Sequence, residues 1–206
     1  MQTELILLFD PSCGWCYGAH PALAALRDAS PLPLRLLPTG LFAGAADVPA
    51  AKAYFWQSDM QIRERTGVVF SEAYRDRLLG GDNIVLDSTA ATLAWHLIAE
   101  QRPELALDVL QRVQAVRYVD GELIDTPQRA ALAKAFDLDA ATLDATEAWP
   151  EALQQQVVQA RTLMRQLNLR GVPVLLLRRG DDVVITPNTL LFQDPAALVE
   201  FVASHV

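Results

Sequence analysis

Residues 9–18 read Phe9-Asp10-Pro11-Ser12-Cys13-Gly14-Trp15-Cys16-Tyr17-Gly18 and contain both cysteines of the chain. Residues 4–9 form an apolar run of strand length that leads into this stretch. The following residues, 19–29, are rich in Ala and Leu, which indicates a helix. We therefore expect the two thiols at a strand-to-helix junction, with Cys13 near the N-terminus of the helix.

This position predicts a reactive pair of thiols. The N-terminus of a helix carries partial positive charge and free N–H groups, and both favour a thiolate over a thiol. Such surroundings lower the pKa of a cysteine from its free value of about 8.5. Cys13 is then the nucleophile. Cys16, one turn further into the helix, can attack a mixed disulfide at Cys13 and release the substrate.

Two other interpretations of the cysteines stay open at this point. The pair could be half of a zinc site with His20 as a third ligand, but a structural zinc site needs four ligands. The remaining histidines, His96 and His205, lie far away in sequence and without ligand-like spacing. The cysteines could also be inert core residues. The flanking Gly, Pro and Trp residues favour an exposed junction, and no metal site is predicted.

Composition argues against several classes of function. The chain has 206 residues, 51% of them hydrophobic, with 17 Lys and Arg against 25 Asp and Glu, a net charge of −8. An acidic chain without a basic cluster is a poor ligand for nucleic acid or an anionic membrane. No apolar stretch approaches the roughly 18 residues of a membrane span, and the first residues lack a basic signal-peptide region. We therefore expect a cytoplasmic protein, in which a lone Cys-x-x-Cys pair is more often catalytic than structural.

The remaining sequence separates strand-like runs from a long helical region. Strands are predicted at 4–9, 34–37, 172–177 and 183–186, the last two joined by a turn at 179–182. Helices are predicted at about 50–65, 71–79, 88–101, 104–118, 127–136, 150–167 and 195–204, and a kink is predicted at His20-Pro21. No core strand is expected between residues 50 and 136.

These motifs together resemble the thioredoxin superfamily, and within it the DsbA-like branch. The matching pieces are Cys13-Gly14-Trp15-Cys16 after a strand, Pro21 five residues past the second cysteine, and Gly171-Val172-Pro173 at the start of a late strand. The sequence around the cysteines, residues 10–18, is most similar to that of the cytoplasmic FrnE-like proteins, often described as predicted disulfide isomerases. The resemblance covers roughly residues 4–204.

The resemblance implies an α/β fold, in which a thioredoxin-like core of mixed sheet and flanking helices is interrupted by an all-helical insertion. The core would comprise residues 1–48 and 137–206, and the insertion residues 49–136. It further implies a cis Val172-Pro173 peptide that faces the thiols and aligns a substrate peptide as an added strand. Trp15 and Tyr17 flank the thiols and could form an apolar rim for substrate, although packing against the scaffold is an equal alternative.

Some positions depart from the family or invite over-interpretation. Leu7 stands where many thioredoxin-fold enzymes carry a buried acid, and Asp10 is either its substitute or an exposed turn residue. Gly14-Trp15 between the cysteines lacks the histidine of strongly oxidising members, which predicts a weaker oxidant. Residues 54–56, Tyr-Phe-Trp, could line a substrate groove, but core packing is favoured. His20 is expected at the surface or the edge of the core, and His96 is expected to be structural.

The predicted function is that of a thiol–disulfide oxidoreductase or isomerase acting on protein disulfides through Cys13 and Cys16, without an organic cofactor. Its partners would be protein or peptide thiols and disulfides, with glutathione or another cellular reductant, and neither nucleic acid nor membrane. One rival is a kappa-type glutathione-dependent isomerase or transferase, a class that generally lacks the second cysteine. The other rival is a non-catalytic, chaperone-like module that binds peptides.

Overall fold

The computed structural model describes residues 3–49, 52–144 and 148–206. Its strands are β1 (Thr3–Phe9), β2 (Leu34–Pro38), β3 (Val48–Pro49), β4 (Asn83–Ile84), β5 (Val174–Arg179) and β6 (Asp182–Ile185). Its helices are α1 (Gly14–Gly18), α2 (His20–Ala29), α3 (Lys52–Thr66), α4 (Glu72–Arg77), α5 (Thr89–Gln101), α6 (Ala106–Tyr118), α7 (Thr126–Ala135), α8 (Ala141–Asp144), α9 (Glu151–Gln166) and α10 (Pro195–Ser204). Two 3-10 turns, Pro103–Leu105 and Asn188–Phe192, complete the described elements.

The central sheet has four strands in the order β2-β1-β5-β6. β1 pairs parallel with β2, so that Leu7 lies opposite Leu36, and antiparallel with β5, so that Leu7 also lies opposite Leu175. Because β5 runs against β1, the end of β1 that leads to the cysteines lies beside the start of β5, where Leu8 is paired with Val174. This arrangement brings the cysteine motif, residues 13–16, and the Gly-Val-Pro motif, residues 171–173, to the same end of the sheet.

Both faces of the sheet are covered, which explains why β1 is continuously apolar rather than alternating. Leu5, Leu7 and Phe9 face one cluster of buried side chains that also contains residues of α2, α5, α6 and α10. Ile6 and Leu8 face the opposite side and pack with Ala160 of α9. The first of these clusters joins the sheet to the helical region in one continuous core.

The cysteine helix is interrupted where the sequence predicts a kink. α1 ends at Gly18 and α2 begins at His20, with Pro21 in its first turn. Proline has no N–H to donate to the preceding turn, so a new helix begins there instead of the old one continuing. Further along, the first two residues of the predicted 50–65 helix lie outside the described residues, and α3 covers the rest.

One detail differs from the expected all-helical insertion. β4 lies within this region and pairs with β3 in a small two-stranded sheet, with Val48 opposite Ile84. The Ile84 side chain is fully buried, and its burial stabilises a two-residue strand that no local pattern indicated. The described residues between 39 and 173 contribute no strand to the central sheet, in line with the prediction. The boundaries 1–48, 49–136 and 137–206 stay predictions.

Candidate active site at Cys13 and Cys16

Cys13 lies at the junction of β1 and α1, as the sequence indicates. It is the residue that caps α1, with an extended backbone (φ −90°, ψ 114°). Its Sγ atom accepts a hydrogen bond from the backbone N–H of Cys16 at 3.4 Å. A sulfur that accepts an N–H hydrogen bond is better stabilised as a thiolate than as a thiol. The local geometry therefore favours Cys13 as the nucleophile of the pair.

The start of β5 approaches Cys13 from the other side. The Val172 carbonyl oxygen lies 3.5 Å from Cys13 Sγ and accepts a hydrogen bond from the thiol. The Val172–Pro173 peptide bond is cis, Val172 is half-buried, and Pro173 is buried. The residues singled out from the sequence, Cys13, Cys16, Val172 and Pro173, are thus brought together, and Val172 presents backbone atoms to the reactive sulfur.

The two thiols differ in environment. Both are free, but Cys13 retains 9% of its accessible surface and Cys16 only 2%. Burial raises the pKa of the Cys16 thiol well above its ordinary value, and the neighbouring Cys13 sulfur raises it further. Both thiols are thus largely buried, in contrast to the exposed junction that the sequence favours. Cys16 is protonated and shielded in the resting dithiol, whereas Cys13 keeps the larger accessible surface. This difference suits a nucleophile and a second, resolving thiol.

Asp10 is a buried carboxylate, which corrects the alternative of an exposed turn residue. Its Oδ1 accepts a hydrogen bond from the Ser12 N–H at 2.9 Å, and its Oδ2 accepts from the Phe42 N–H at 3.0 Å and from the Ser88 hydroxyl at 2.9 Å. Burial raises the pKa of Asp10, although these three donors act in the opposite direction. Asp10 thus fastens the loop before Cys13 to the start of α5.

His20 is likewise buried, deeper than the sequence suggested. Its Nε2 lies 2.7 Å from Gln114 Oε1, and Gln114 Nε2 donates a hydrogen bond to the Pro11 carbonyl at 3.3 Å. Burial lowers the pKa of His20 to about 4, so the imidazole is neutral near pH 7. Through Gln114, His20 supports the loop before the cysteines. Across the described ranges, no three His, Cys, Asp or Glu side chains gather as metal ligands would.

An aromatic cluster supports α1 from the helical region. Tyr118 is stacked on Tyr17, with 5.0 Å between ring centroids, and its hydroxyl donates a hydrogen bond to the Ser12 carbonyl at 2.8 Å. Phe70 and Tyr74 pack edge-on or tilted around these rings. These contacts explain why Tyr17, expected as a possible rim residue, is buried instead.

A cavity of about 210 Å³ opens beside Cys13 towards the helical region. Asp59 lies in its wall, and Tyr74 donates a hydrogen bond to Asp59 Oδ2 at 2.9 Å. Burial raises the pKa of Asp59 to about 7, although Tyr74 and the charge of Arg117 act against this. Sequence reasoning missed Asp59. The available signal was its spacing between Phe55 and Ile62, which places a carboxylate on the apolar face of α3.

Residues 54–56, for which the sequence left groove lining and core packing as alternatives, lie partly at the same cavity. Tyr54 and Phe55 line the cavity beside Cys13, and Tyr54 remains 72% exposed. Phe55 and Trp56 also pack against the aromatic cluster of the helical region. Groove lining and packing therefore coexist in this short segment.

A larger cavity of about 510 Å³ lies on the other side of Trp15. Trp15 forms one wall and packs edge-on against Phe192, with 4.8 Å between ring centroids. The guanidinium of Arg65 lies over the Trp15 ring, 5.6 Å from its centroid. The remaining lining residues are Val172, Asn188, Thr189 and Gln193. Trp15 thus packs against the scaffold and forms a rim beside the thiols at the same time.

The chain matches a known protein family and is similar to solved structures. Residues 4–196 match a family model described as a DSBA-like thioredoxin domain. The structure of the cytosolic disulfide reductase DsbM from Pseudomonas aeruginosa is similar with a TM-score of 0.84 and 31% identity, over 98% of each chain. The structure of DsbM with GSH gives a TM-score of 0.82 and 30% identity, again over 98% of each chain.

More distant similarity extends to a candidate protein disulfide isomerase from Nitrosomonas europaea. It has a TM-score of 0.78 and 18% identity, over 100% of this chain and 99% of that one, and this likeness concerns the fold alone. No curated protein matches the chain in sequence. Of the helices in the described ranges, none combines the length and apolar character that crossing a bilayer requires. The predicted fold class, a thioredoxin-like α/β core interrupted by a helical region, is confirmed.

Proposed function

Because the chain belongs to the family of DSBA-like thioredoxin domains, we propose that it is a thiol–disulfide oxidoreductase that reduces or rearranges disulfides through Cys13 and Cys16. The observation that carries this proposal is the hydrogen-bonded position of Cys13 Sγ between the Cys16 N–H and the Val172 carbonyl. The resemblance to the DsbA-like branch is confirmed by the family match, while the roles of the individual residues are proposed here.

In the proposed reaction, the Cys13 thiolate attacks one sulfur of a substrate disulfide. The substrate S–S bond breaks, a Cys13–substrate disulfide forms, and one substrate thiolate leaves and takes up a proton. Cys16 then loses its proton and attacks Cys13 Sγ, which releases the second substrate thiol and leaves a Cys13–Cys16 disulfide. The substrate gains two electrons and the dithiol loses two. Two molecules of a thiol such as glutathione restore the dithiol by the same kind of exchange and are oxidised to one small disulfide.

The buried state of Cys16 fits the second step. A raised pKa keeps Cys16 protonated while Cys13 alone meets the substrate, so the two steps occur in order. If a free thiol of the substrate attacks the mixed disulfide before Cys16 does, the outcome is rearrangement instead of reduction. Direction then depends on the redox potential of the surroundings.

We place this activity in the cytoplasm, with a reducing direction. A similar protein at 31% identity is a cytosolic disulfide reductase, and another structure of that protein contains GSH. A reducing cytosol keeps a dithiol of this kind reduced at rest. The proposed substrates are protein or peptide disulfides, and glutathione is the proposed small-thiol partner.

The test compares wild type with Cys13→Ser and Cys16→Ser in the reduction of insulin and the refolding of a scrambled multi-disulfide protein. We expect Cys13→Ser to abolish both activities. Cys16→Ser should accumulate a mixed disulfide with the substrate on Cys13, visible by mass spectrometry under non-reducing conditions. Matched thermal unfolding curves serve as the control for folding.

Other outcomes separate the rival functions. A kappa-type transferase would keep its glutathione-dependent activity in Cys16→Ser. A chaperone-like module would suppress aggregation equally well after both cysteines are replaced. Either result would contradict the proposed dithiol mechanism.

A further inference from the structure

We propose that the cavity between Trp15 and Arg65 binds a carboxylate of a small disulfide substrate, the chemical class to which glutathione disulfide belongs. This inference rests on the proposed function, because it assigns a substrate class to the same dithiol. It adds a binding residue, Arg65, which lies 49 positions beyond Cys16 in sequence and which the sequence motifs did not single out.

The cavity lies next to Cys13, and Val172 links the two. Trp15, which stands between the two cysteines, forms one wall, and Val172 forms another. The carbonyl of Val172 is 3.5 Å from Cys13 Sγ. A ligand that extends from this cavity past Val172 brings its sulfur to Cys13. The smaller cavity on the other side of Trp15, which Cys13 itself lines, contains the buried Asp59.

The charge of the cavity wall defines what it attracts. Arg65 is the charged residue that lines it, and the other lining residues are neutral. In the part of the chain that the structure describes, no carboxylate pairs with Arg65, and its guanidinium rests on the Trp15 ring. Guanidinium groups bind carboxylates through paired hydrogen bonds.

Size and polarity limit the occupant to a small peptide-like molecule. A volume of about 510 Å³ lies in the range typical of small-molecule sites. Asn188, Thr189 and Gln193 offer hydrogen-bonding side chains along one wall, and the rings of Trp15 and Phe192 form an apolar wall. A tripeptide with free carboxylates meets these demands, whereas a cystine inside a protein chain carries no carboxylate of its own beside the sulfur.

The test follows oxidation of the reduced protein by two disulfides that differ in charge. Glutathione disulfide carries carboxylates, and bis(2-hydroxyethyl) disulfide is neutral. Reduced protein is mixed with an excess of either one, quenched with an alkylating agent, and scored for the Cys13–Cys16 disulfide by mass. No other reductant or oxidant is required, because each disulfide is converted to two thiols as the protein dithiol is oxidised. The variants are Arg65→Gln, Arg65→Lys and the control Arg63→Gln, which changes an exposed arginine of the same helix that does not line the cavity.

We expect Arg65→Gln to lower the second-order rate constant for glutathione disulfide by about 10- to 100-fold, the size of a lost hydrogen-bonded charge pair. The loss should appear as a higher half-saturating concentration with an unchanged maximal rate. Arg65→Lys should recover part of the rate, and 0.5 M salt should reduce the wild-type advantage. The neutral disulfide should react with all variants within about twofold of wild type.

An equal loss with both disulfides, or no loss with either, would overturn the role of Arg65 while leaving the proposed oxidoreductase intact. An equal effect of Arg63→Gln would also overturn it, since general charge and not the cavity would then be responsible. A wild-type protein that neither disulfide oxidises would contradict the proposed function itself, and the inference would fall with it.

Discussion

The carbonyl oxygen of Val172 lies 3.5 Å from the Sγ atom of Cys13, although 159 positions separate these residues in the sequence. The contact follows from the antiparallel pairing of β1 with β5, which sets the end of one strand beside the start of the other. In the proposed reaction, a substrate that approaches Cys13 would meet the half-buried Val172 beside the sulfur. The site depends on the sheet as much as on the cysteine motif.

Cys13 should react with alkylating agents before Cys16. Cys13 is the more accessible thiol, and burial raises the pKa of Cys16, so the reagent reaches Cys13 while Cys16 stays protonated. With limiting iodoacetamide near pH 7, peptide mapping of the reduced protein should show labelling of Cys13 at least about tenfold faster. Labelling of the unfolded protein provides the reference, in which both thiols react alike. Preferential labelling of Cys16 would reverse the assigned roles.

Replacement of Asp10 by Ala should destabilise the protein strongly. The change leaves the Ser12 N–H, the Phe42 N–H and the Ser88 hydroxyl without their acceptor. Each unsatisfied buried group costs about 1–3 kcal/mol, so we expect a loss of at least about 3 kcal/mol in the free energy of unfolding. Urea unfolding measures this loss, and Asp181→Ala, at an exposed turn, is the control. Similar midpoints for the two variants would refute the structural role of Asp10.

The stability of the protein should depend on the protonation of Asp59. Its pKa is about 7 in the folded protein against 3.8 for the ordinary group. Between these values the folded chain holds a proton that the unfolded chain has lost, so this group's contribution to stability falls as pH rises from about 4 to 7. Asp59→Asn removes the effect. The variant should gain stability relative to wild type, on the order of 2–4 kcal/mol between pH 5 and pH 8.

Chemical denaturation of both proteins at pH 5 and pH 8 measures the Asp59 effect. Asp181→Asn, at an exposed position, should show no such change with pH. If Asp59→Asn shifts the free energy of unfolding equally at both pH values, the carboxylate is not protonated in the folded protein near neutral pH.

Gly18→Ala should disturb the contact between α1 and α3. A Cβ atom on Gly18 would lie 2.3 Å from Cγ2 of Ile62, and Ile62 is fully buried and cannot yield freely. Such overpacking costs about 1–3 kcal/mol. Thermal or urea unfolding should show this loss. Gly171→Ala is the matched control, because its added Cβ meets no atom within 4 Å. An unchanged free energy of unfolding for Gly18→Ala would mean that α1 and α3 accommodate the added methyl group without loss of stability.

The sequence predicted the four strands of the central sheet, most of the helices and the position of the two thiols, because these depend on local patterns. The apolar run of β1, the break at Pro21 and the Gly171-Val172-Pro173 motif each have a direct physical meaning at their own positions. The start of β5 beside the thiols followed from the family resemblance, and the structure places it there.

Asp59 and Arg65 could not be predicted in the same way. Both lie on α3, and their distance from the cysteines depends on how closely that helix packs against α1 at Gly18 and Ile62. The spacing of Asp59 places it on the apolar face of α3, but no periodicity within the helix specifies which element that face contacts. Asp10 and His20 show the same limit. The sequence left burial and exposure of Asp10 as alternatives and placed His20 at the surface or the edge of the core, whereas partners from distant elements satisfy both side chains in the interior.

The pairing of β1 with β5 also determines when the site can exist during biosynthesis. At about 5–20 residues per second, the 159 positions between Cys13 and Val172 take roughly 8–32 s to translate. During that interval the nascent chain carries both thiols and β2 can pair with β1. The other neighbour of β1 in the sheet, β5, has not yet been synthesised. The cysteines therefore meet cellular thiols and oxidants as unprotected side chains of a growing polypeptide, and they become a differentiated pair only once the opposite strand has left the ribosome.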